Sequence, residues 1–138
     1  MRLWHKDLIE VLPMKQLISQ WRECWCIAKN IRKCGTPNHI LVNKVLEYDL
    51  SNLYTYSVDV CGEMISRGYK PDFGCFDKYF SYSESDDFVR HKELFKNWHN
   101  DRYLKQCYYN LQEKYDCGGI SDNEWKLIDE LVKSKNIL

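Results

Sequence analysis

Apolar residues recur with helical spacing along most of this 138-residue chain. The clearest stripe lies between Pro13 and Gly35, and its members follow intervals of three and four residues: Leu17, Ile18, Trp21, Cys24, Trp25, Ala28 and Ile31. Such intervals place side chains on one side of an α-helix. We expect this helix to begin at Pro13, since a proline at the first helical position loses no hydrogen bond, and to end at Gly35.

Start and stop signals predict four more helices. Thr36-Pro37 would open a short one through about Tyr48, and a third would cover residues 51–67 before Gly68. The last two are residues 100–115, and a helix that opens with the capping box of Ser121 and Glu124. Residues 69–90 are predicted to be a loop with one short helix. Because strand-type alternation is nearly absent, we predict an all-α fold with long connecting loops, forming a single domain over residues 1–138.

Composition excludes several classes of protein. Hydrophobic residues make up 44% of the chain and the formal net charge is zero, which argues against a disordered tail protein or a strongly basic chromatin-type protein. No apolar run approaches the roughly 18 residues of a membrane span, and the start of the chain lacks signal-peptide features. We therefore expect a cytoplasmic protein that does not bind membranes.

Seven cysteines are present, an odd number without repeating intervals. This pattern does not predict a disulfide framework, and no paired C-x-x-C or C-x-x-H elements predict a zinc site. We expect reduced cysteines that act as small apolar residues, and neither a metal nor a cofactor.

The zero net charge hides an asymmetry. Residues 1–44 contain eight Lys or Arg and three Asp or Glu, a surplus of +5, so the rest of the chain carries −5. A basic first third is typical of a surface that faces phosphates, and Lys29 and Arg32 are candidates within it; the alternative is a basic face that is simply solvated. Farther along, Tyr108 fits a core stripe, whereas Tyr103 and Tyr109 lie off it and could stack on extruded bases.

Standard enzyme motifs do not decide the function. The chain has no glycine-rich phosphate loop, no G-x-S-x-G elbow and no H-E-x-x-H. Three histidines, His5, His39 and His99, are kept as possible site residues, although a histidine is more often structural. The first predicted helix is more informative, since Gln16, Gln20 and Glu23 share a face beside its apolar stripe.

Several short motifs together resemble the endonuclease V-type pyrimidine dimer DNA glycosylases of bacteriophage and bacterial origin. They are Met1-Arg2-Leu3, Leu12, Leu17, Trp21-Arg22-Glu23 (the family has aromatic-Arg-Glu), Asn38-His39, and the run from Glu63 to Tyr69. The resemblance covers the first half of the chain, and the family fold is a single all-α domain.

The resemblance implies a definite chemistry. The free α-amine of the first residue, here Met1, would attack C1′ of a damaged nucleotide, displace the base, and form an imine that permits β-elimination. An α-amine has a reference pKa of about 7.7–8.0, so a useful fraction is neutral and nucleophilic at cellular pH. Glu23 matches the essential carboxylate, while Arg2 and Arg22 match arginines that contact phosphates. The implied partner is double-stranded DNA with a damaged or abasic site, bound by a monomer.

The chain departs from the family pattern at several positions. Gln16 stands where the family has a histidine, and we expect it to contact DNA there. Cys26 replaces an arginine, and the family's aromatic and basic C-terminal run is not recognisable in residues 123–138. Two other functions stay open: an abasic-site lyase that no longer recognises pyrimidine dimers, and a non-catalytic helical DNA-binding or interaction protein that retains the fold.

Overall fold

The computed structural model describes residues 2–34, 39–80 and 88–138, and within these ranges the regular structure is entirely helical. The prediction of an all-α fold is confirmed. The α-helices are α1 (Met14–Cys34), α2 (Ile40–Val45), α3 (Leu50–Ser66), α4 (Gly74–Tyr79), α5 (Asp101–Asp116) and α6 (Asp122–Ser134). Two 3-10 helices, Lys6–Val11 and His91–Glu93, add to them. No helix in the described ranges has the length and apolar character needed to cross a membrane.

The chain starts with a non-helical stretch, Arg2–His5, which we call the N-terminal segment. The 3-10 helix Lys6–Val11 follows it, and the sequence pattern did not predict this element. His5 caps this helix, since its Nδ1 accepts a hydrogen bond from the backbone N–H of Asp7 at 3.1 Å. Local capping of this kind can stabilise a short helix that has no apolar period of its own.

Helix α1 is the central element of the fold. It begins one residue later than predicted, at Met14, and the carbonyl of Pro13 accepts from the N–H of Leu17 at 2.9 Å. Proline therefore precedes the first helical residue. The predicted stripe is confirmed as the inner face: its buried members are Leu17, Trp21, Cys24 and Ala28, and its half-buried members are Ile18, Trp25 and Ile31. The predicted stop at Gly35 and start at Thr36-Pro37 lie outside the described residues.

Helix α3 packs against α1, and its predicted limits are confirmed to within one residue. Asp49 caps its start by accepting from the N–H of Ser51, and Gly68 ends it with a positive φ of 84°. Helix α2 begins at Ile40 and ends at Val45, and it is therefore shorter than predicted. Helix α4 is the short helix expected within residues 69–90, of which residues 81–87 lie outside the described ranges.

Helices α5 and α6 pack against each other, and α6 also contacts the first 3-10 helix. The side chain of Asn100 caps α5, and Gly118 follows that helix with φ of 82°. The predicted capping box of Ser121 and Glu124 is confirmed at the start of α6. Glu124 Oε2 also accepts from the backbone N–H of Met14 at 3.3 Å, which connects this corner to the start of α1.

One continuous apolar core connects these elements. It includes Leu3 and Leu8 near the start of the chain, Leu53 of α3, Leu111 of α5 and Ile128 of α6.

The cysteines whose side chains are described are all free, as expected: Cys24, Cys26, Cys61, Cys75, Cys107 and Cys117. Burial raises the pKa of the Cys24 thiol to about 12, so this cysteine is a neutral packing residue.

Candidate active site

A cavity of about 520 Å³ opens between the N-terminal segment, α1 and α5. Each of the three elements contributes polar side chains to its wall. The residues that line it are Arg2, Trp4, Gln16, Ser19, Gln20, Glu23, Asn110, Glu113, Lys114 and Cys117. Three residues that the sequence singled out, Arg2, Gln16 and Glu23, are therefore brought together.

Two oxygen atoms in this cavity are shielded from solvent without a hydrogen bond. They are Oε2 of Glu23 and Oε1 of Gln16, and neither has a partner among residues 2–34, 39–80 and 88–138. A buried carboxylate oxygen without a donor costs free energy, because it has lost its water and gained no replacement. The pair is therefore suited to receive a cationic or hydrogen-bond-donating group.

The N-terminal segment is held against the helices by side chains that bind its backbone. Gln20 accepts from the N–H of Trp4 and donates to the carbonyl of Arg2, both at 2.8 Å. The hydroxyl of Tyr56 donates to the carbonyl of Trp4 at 2.6 Å, and that of Tyr103 donates to the carbonyl of Leu3. These bonds place Arg2 at the cavity, where its guanidinium carbon lies 5.1 Å from the centre of the Trp4 ring. Met1, the predicted nucleophile, lies outside the described residues.

Charge in the cavity is balanced rather than basic. Arg2 and Lys114 contribute positive charge, and Glu23 and Glu113 contribute negative charge. A cavity with both signs can stabilise a developing cation beside a carboxylate while it holds a phosphate with an amine or guanidinium. The positive charge of residues 1–44 is therefore not concentrated in the cavity itself.

The basic residues lie instead along the outer side of α1. Lys15, Arg22, Lys29 and Lys33 are all exposed there, and we call them the basic ridge. Intervals of seven and four residues keep the four on one side of the helix, turned by roughly 100° from Glu23. Arg22 also lines a second cavity of about 300 Å³ on the far flank of the ridge, with Trp21 and Trp25.

Arg32 and the two candidate tyrosines have different surroundings. Arg32 is exposed, and its Nε donates to the carbonyl of Tyr79 at the end of α4. Tyr109 is 53% exposed and available for a ligand, with its ring against that of Tyr108. Tyr103 is half-buried, and its hydroxyl is bonded to the N-terminal segment, so its contacts are with the protein.

None of the three candidate histidines lines the cavity. His5 and His99 are buried and stacked with ring centres 5.2 Å apart, and Nδ1 of His99 accepts from the N–H of Lys6 at 3.0 Å. Burial lowers the pKa of His5 to about 4 and that of His99 to about 2, so both rings are neutral at pH 7. His39 is exposed at the start of α2.

Several cavity residues were not predicted from the sequence. Asn110, Glu113 and Lys114 follow helical spacing and so share one face of α5, and Cys117 directly follows that helix. That spacing was visible in the sequence, but nothing in it indicated that this face lies opposite α1. Within the described part of the chain, no three His, Cys, Asp or Glu side chains are grouped closely enough to hold a metal ion.

Comparison with known proteins adds one finding. A family model described as pyrimidine dimer DNA glycosylase matches residues 1–77. These residues include the N-terminal segment, all of α1 with Glu23, and the Arg67-Gly68-Tyr69 end of α3. No curated protein and no solved structure matches the chain.

Proposed function

Because the chain belongs to the pyrimidine dimer DNA glycosylase family, we propose that it is a base-excision repair glycosylase with coupled abasic-site lyase activity. The α-amine of Met1 is the proposed nucleophile and Glu23 the proposed acid–base residue. The observation that carries this proposal is the solvent-shielded Glu23 Oε2, which has no partner in the described residues and lies in the cavity that also contains Arg2, the neighbour of Met1.

The amine acts first in the proposed reaction. Its nitrogen forms a bond to C1′ of the damaged nucleotide, and the bond from C1′ to the base breaks, with its electron pair leaving on the base. Opening of the sugar ring then gives an imine. Loss of a C2′ proton expels the 3′ phosphate, which cuts the strand. The reference pKa of an α-amine, about 7.7–8.0, supports this role, since no strong perturbation is needed to obtain the neutral form.

Glu23, which lines the cavity, has two proposed roles. Its carboxylate stabilises the positive charge that develops on the sugar as the base departs, and it moves protons between the amine and the sugar. The partial burial of Glu23 supports the first task, because a charge interaction is stronger away from water. The shielded Gln16 Oε1 offers a second acceptor for the same cationic group.

The basic ridge and Arg2 are the proposed contacts to DNA phosphates. Arg22 and Lys29 belong to the ridge, Arg32 lies next to it, and all three are exposed. Phosphate contacts of this kind fix the register of the protein on duplex DNA, and deformation at the lesion provides selectivity. Of the two candidate tyrosines, Tyr109 has the better access for stacking on an extruded base.

We propose that a monomer in the cytoplasm, with residues 1–138 as one domain, is the active form. The cavity supports the proposal of a monomer, since α5 of the same chain contributes to its wall beside α1 and the N-terminal segment. No residue of a second copy is needed to line it.

Borohydride trapping on abasic DNA tests the mechanism. Reduction of an imine gives a permanent protein–DNA crosslink, and we expect this crosslink to map to the α-amine of Met1. An uncleaved extension before Met1 should abolish trapping, since an amide nitrogen cannot form the imine. Glu23→Gln should retain DNA binding but turn over about 10²–10⁴-fold more slowly, the usual contribution of a general acid–base group.

Glu130→Gln is a matched control, because Glu130 is an exposed carboxylate on α6 outside the cavity. Its turnover should equal that of the wild type. Trapping by the extended protein at the wild-type rate would contradict the α-amine mechanism. If the wild type binds duplex DNA but traps on neither abasic nor ultraviolet-damaged DNA, the non-catalytic binding protein replaces the enzyme as the better interpretation.

A further inference from the structure

We propose that Gln20 is a positioning residue, which holds the backbone of the N-terminal segment at Arg2 and Trp4, directly after the residue whose α-amine is the proposed nucleophile. This inference rests on the proposed α-amine mechanism. It concerns a buried side chain that has no proposed role in the chemistry itself.

The hydrogen bonds of Gln20 resemble pairing with a strand. Its amide oxygen accepts from the N–H of Trp4, and its amide nitrogen donates to the carbonyl of Arg2, with both distances at 2.8 Å. A side-chain amide therefore satisfies one donor and one acceptor of the N-terminal segment. The bond to Arg2 involves the carbonyl of the residue that directly follows Met1, so it restrains the backbone one residue from the proposed nucleophile.

Tyr56 extends this arrangement from α3. Its hydroxyl lies 2.6 Å from the carbonyl of Trp4 and 3.1 Å from the amide oxygen of Gln20. The Tyr56 side chain is fully buried and Gln20 is 1% exposed, so no water competes for these bonds. Together with the Tyr103 hydroxyl on the carbonyl of Leu3, side chains of α1, α3 and α5 all bind the backbone of the same segment.

Burial of a glutamine beside an apolar stripe needs a reason. A buried amide is unfavourable unless both its donor and its acceptor are satisfied, and an apolar residue could fill the space without that requirement. Gln16 and Glu23 lie one turn to either side on the same face, and each has an oxygen without a partner in the described part of the chain, whereas both functional groups of Gln20 bind backbone. The three residues thus divide into two that face the reaction space and one that orients the segment carrying the nucleophile.

The kinetic consequence follows from geometry. Attack on C1′ requires the amine within bonding approach, and a displacement of about 1 Å can cost a factor of about 10² in rate. Loss of Gln20 should therefore slow imine formation while contacts between phosphates and the basic ridge persist. DNA affinity should change by less than a factor of about three, because the lost interaction acts on the reaction rather than on binding.

Single-turnover borohydride trapping of Gln20→Met and Gln20→Glu tests the inference. Gln20→Met keeps the length of the side chain and removes both bonds, so trapping should slow about 10²-fold at unchanged DNA affinity. Gln20→Glu keeps an acceptor for the Trp4 N–H but places a buried carboxylate oxygen against the carbonyl of Arg2, so its trapping should slow at least as much as that of Gln20→Met. Tyr56→Phe should also slow trapping; it provides a second variant if Gln20→Met does not fold.

A matched control and an exchange measurement separate positioning from general destabilisation. Tyr108→Phe removes a hydroxyl from another buried tyrosine, one whose partner is Asp129 of α6, and its trapping rate should equal that of the wild type. Hydrogen exchange at the Trp4 amide should be slow in the wild type and fast in Gln20→Met, whether or not the protein is an enzyme.

Each result has a distinct meaning. If Gln20→Met frees the Trp4 amide but traps at the wild-type rate, the positioning role is wrong. If Tyr108→Phe slows trapping as much as Tyr56→Phe does, the effect is general destabilisation, and the inference is again wrong. If the wild type has a protected Trp4 amide but does not trap at Met1, the proposed function fails instead.

Discussion

At the scale of single residues, the buried pair of His5 and His99 has a consequence for stability. Both rings are neutral in the folded protein at pH 7, because burial holds their pKa values at about 4 and about 2, against an ordinary 6.5. Lys6, Asp7, His91 and other charged groups nearby modify these shifts, but burial is the largest cause in each case. The unfolded chain takes up protons on both rings as the pH falls below about 6.5, and the folded chain does not.

We therefore expect acid to destabilise the protein in the window between about pH 6.5 and pH 4. Above pH 6.5 the stabilisation that comes from keeping the two rings neutral is fully present. Below pH 6.5 the free energy of unfolding falls as the pH is lowered. His99→Gln should remove about 3 kcal/mol of the loss between pH 7 and pH 4.5, at 1.36 kcal/mol for each pH unit. Urea unfolding at both pH values measures this.

His39→Gln provides the comparison, since His39 is exposed and its replacement leaves the buried pair of His5 and His99 unchanged. Its pH dependence should match the wild type. Equal pH dependence in His99→Gln and the wild type would show that His99 is protonated in the folded protein, contrary to the effect of its burial.

At the scale of elements, three sides of α1 face three different surroundings. Its apolar stripe packs in the core, Glu23 and Gln16 face the cavity, and the basic ridge faces solvent. Helix α5 completes the cavity and contributes Lys114, a further amine that a phosphate could contact. DNA affinity should therefore depend on charges of both helices.

We expect the double variant Arg22→Gln with Lys29→Met to weaken binding to undamaged duplex DNA and to flatten its salt dependence. Each phosphate contact contributes about 0.9 to the slope of log K against log salt concentration, so the slope should fall by about two. Lys114→Met should lower it by about one. Binding titrations at several salt concentrations give these slopes.

Lys126→Met tests the specificity of that effect. Lys126 is an exposed lysine of α6 that lies outside the cavity and the basic ridge, so this variant should keep the wild-type slope. If the ridge variant and the wild type have equal slopes, α1 does not face the phosphates and another surface binds DNA.

At the scale of the whole molecule, residues 88–138 form hydrogen bonds with the first part of the chain and share its apolar core. Lys6 donates from its side chain to the carbonyls of Lys92 and Leu94, and Asn52 accepts from the N–H of Phe95. Leu104 and Leu111 of α5 belong to the core cluster that also holds residues of α1 and α3. The family match at residues 1–77 therefore covers only part of a continuous core.

We expect a fragment of residues 1–77 to lack cooperative unfolding, because its apolar core would be exposed where α5 and α6 are missing. The chain of residues 1–138 should unfold in one transition, as a single domain does. Circular dichroism during thermal unfolding compares the two. A fragment that unfolds cooperatively near the temperature of the longer chain would contradict the single-domain proposal.

Much of the helical structure could be predicted from the sequence, because its signals are local. The stripe from Leu17 to Ile31 follows the period of one helix, and the capping box of Ser121 and Glu124 acts within four residues. The face shared by Gln16 and Glu23 follows from helix geometry in the same way. For these features, neighbours along the chain supply the whole physical cause.

Only the tertiary structure determined which surfaces meet. Gln20 is a polar residue beside an apolar stripe, and its burial depends on Trp4 and Tyr56, which lie 16 and 36 residues away. Tyr103 lies off the apolar stripe of its helix, and its hydroxyl donates to the carbonyl of Leu3, 100 residues earlier. Lys114 enters the cavity for the same reason, since α5 packs across from α1. Contacts between such distant residues depend on the packing of the complete chain, which no local period encodes.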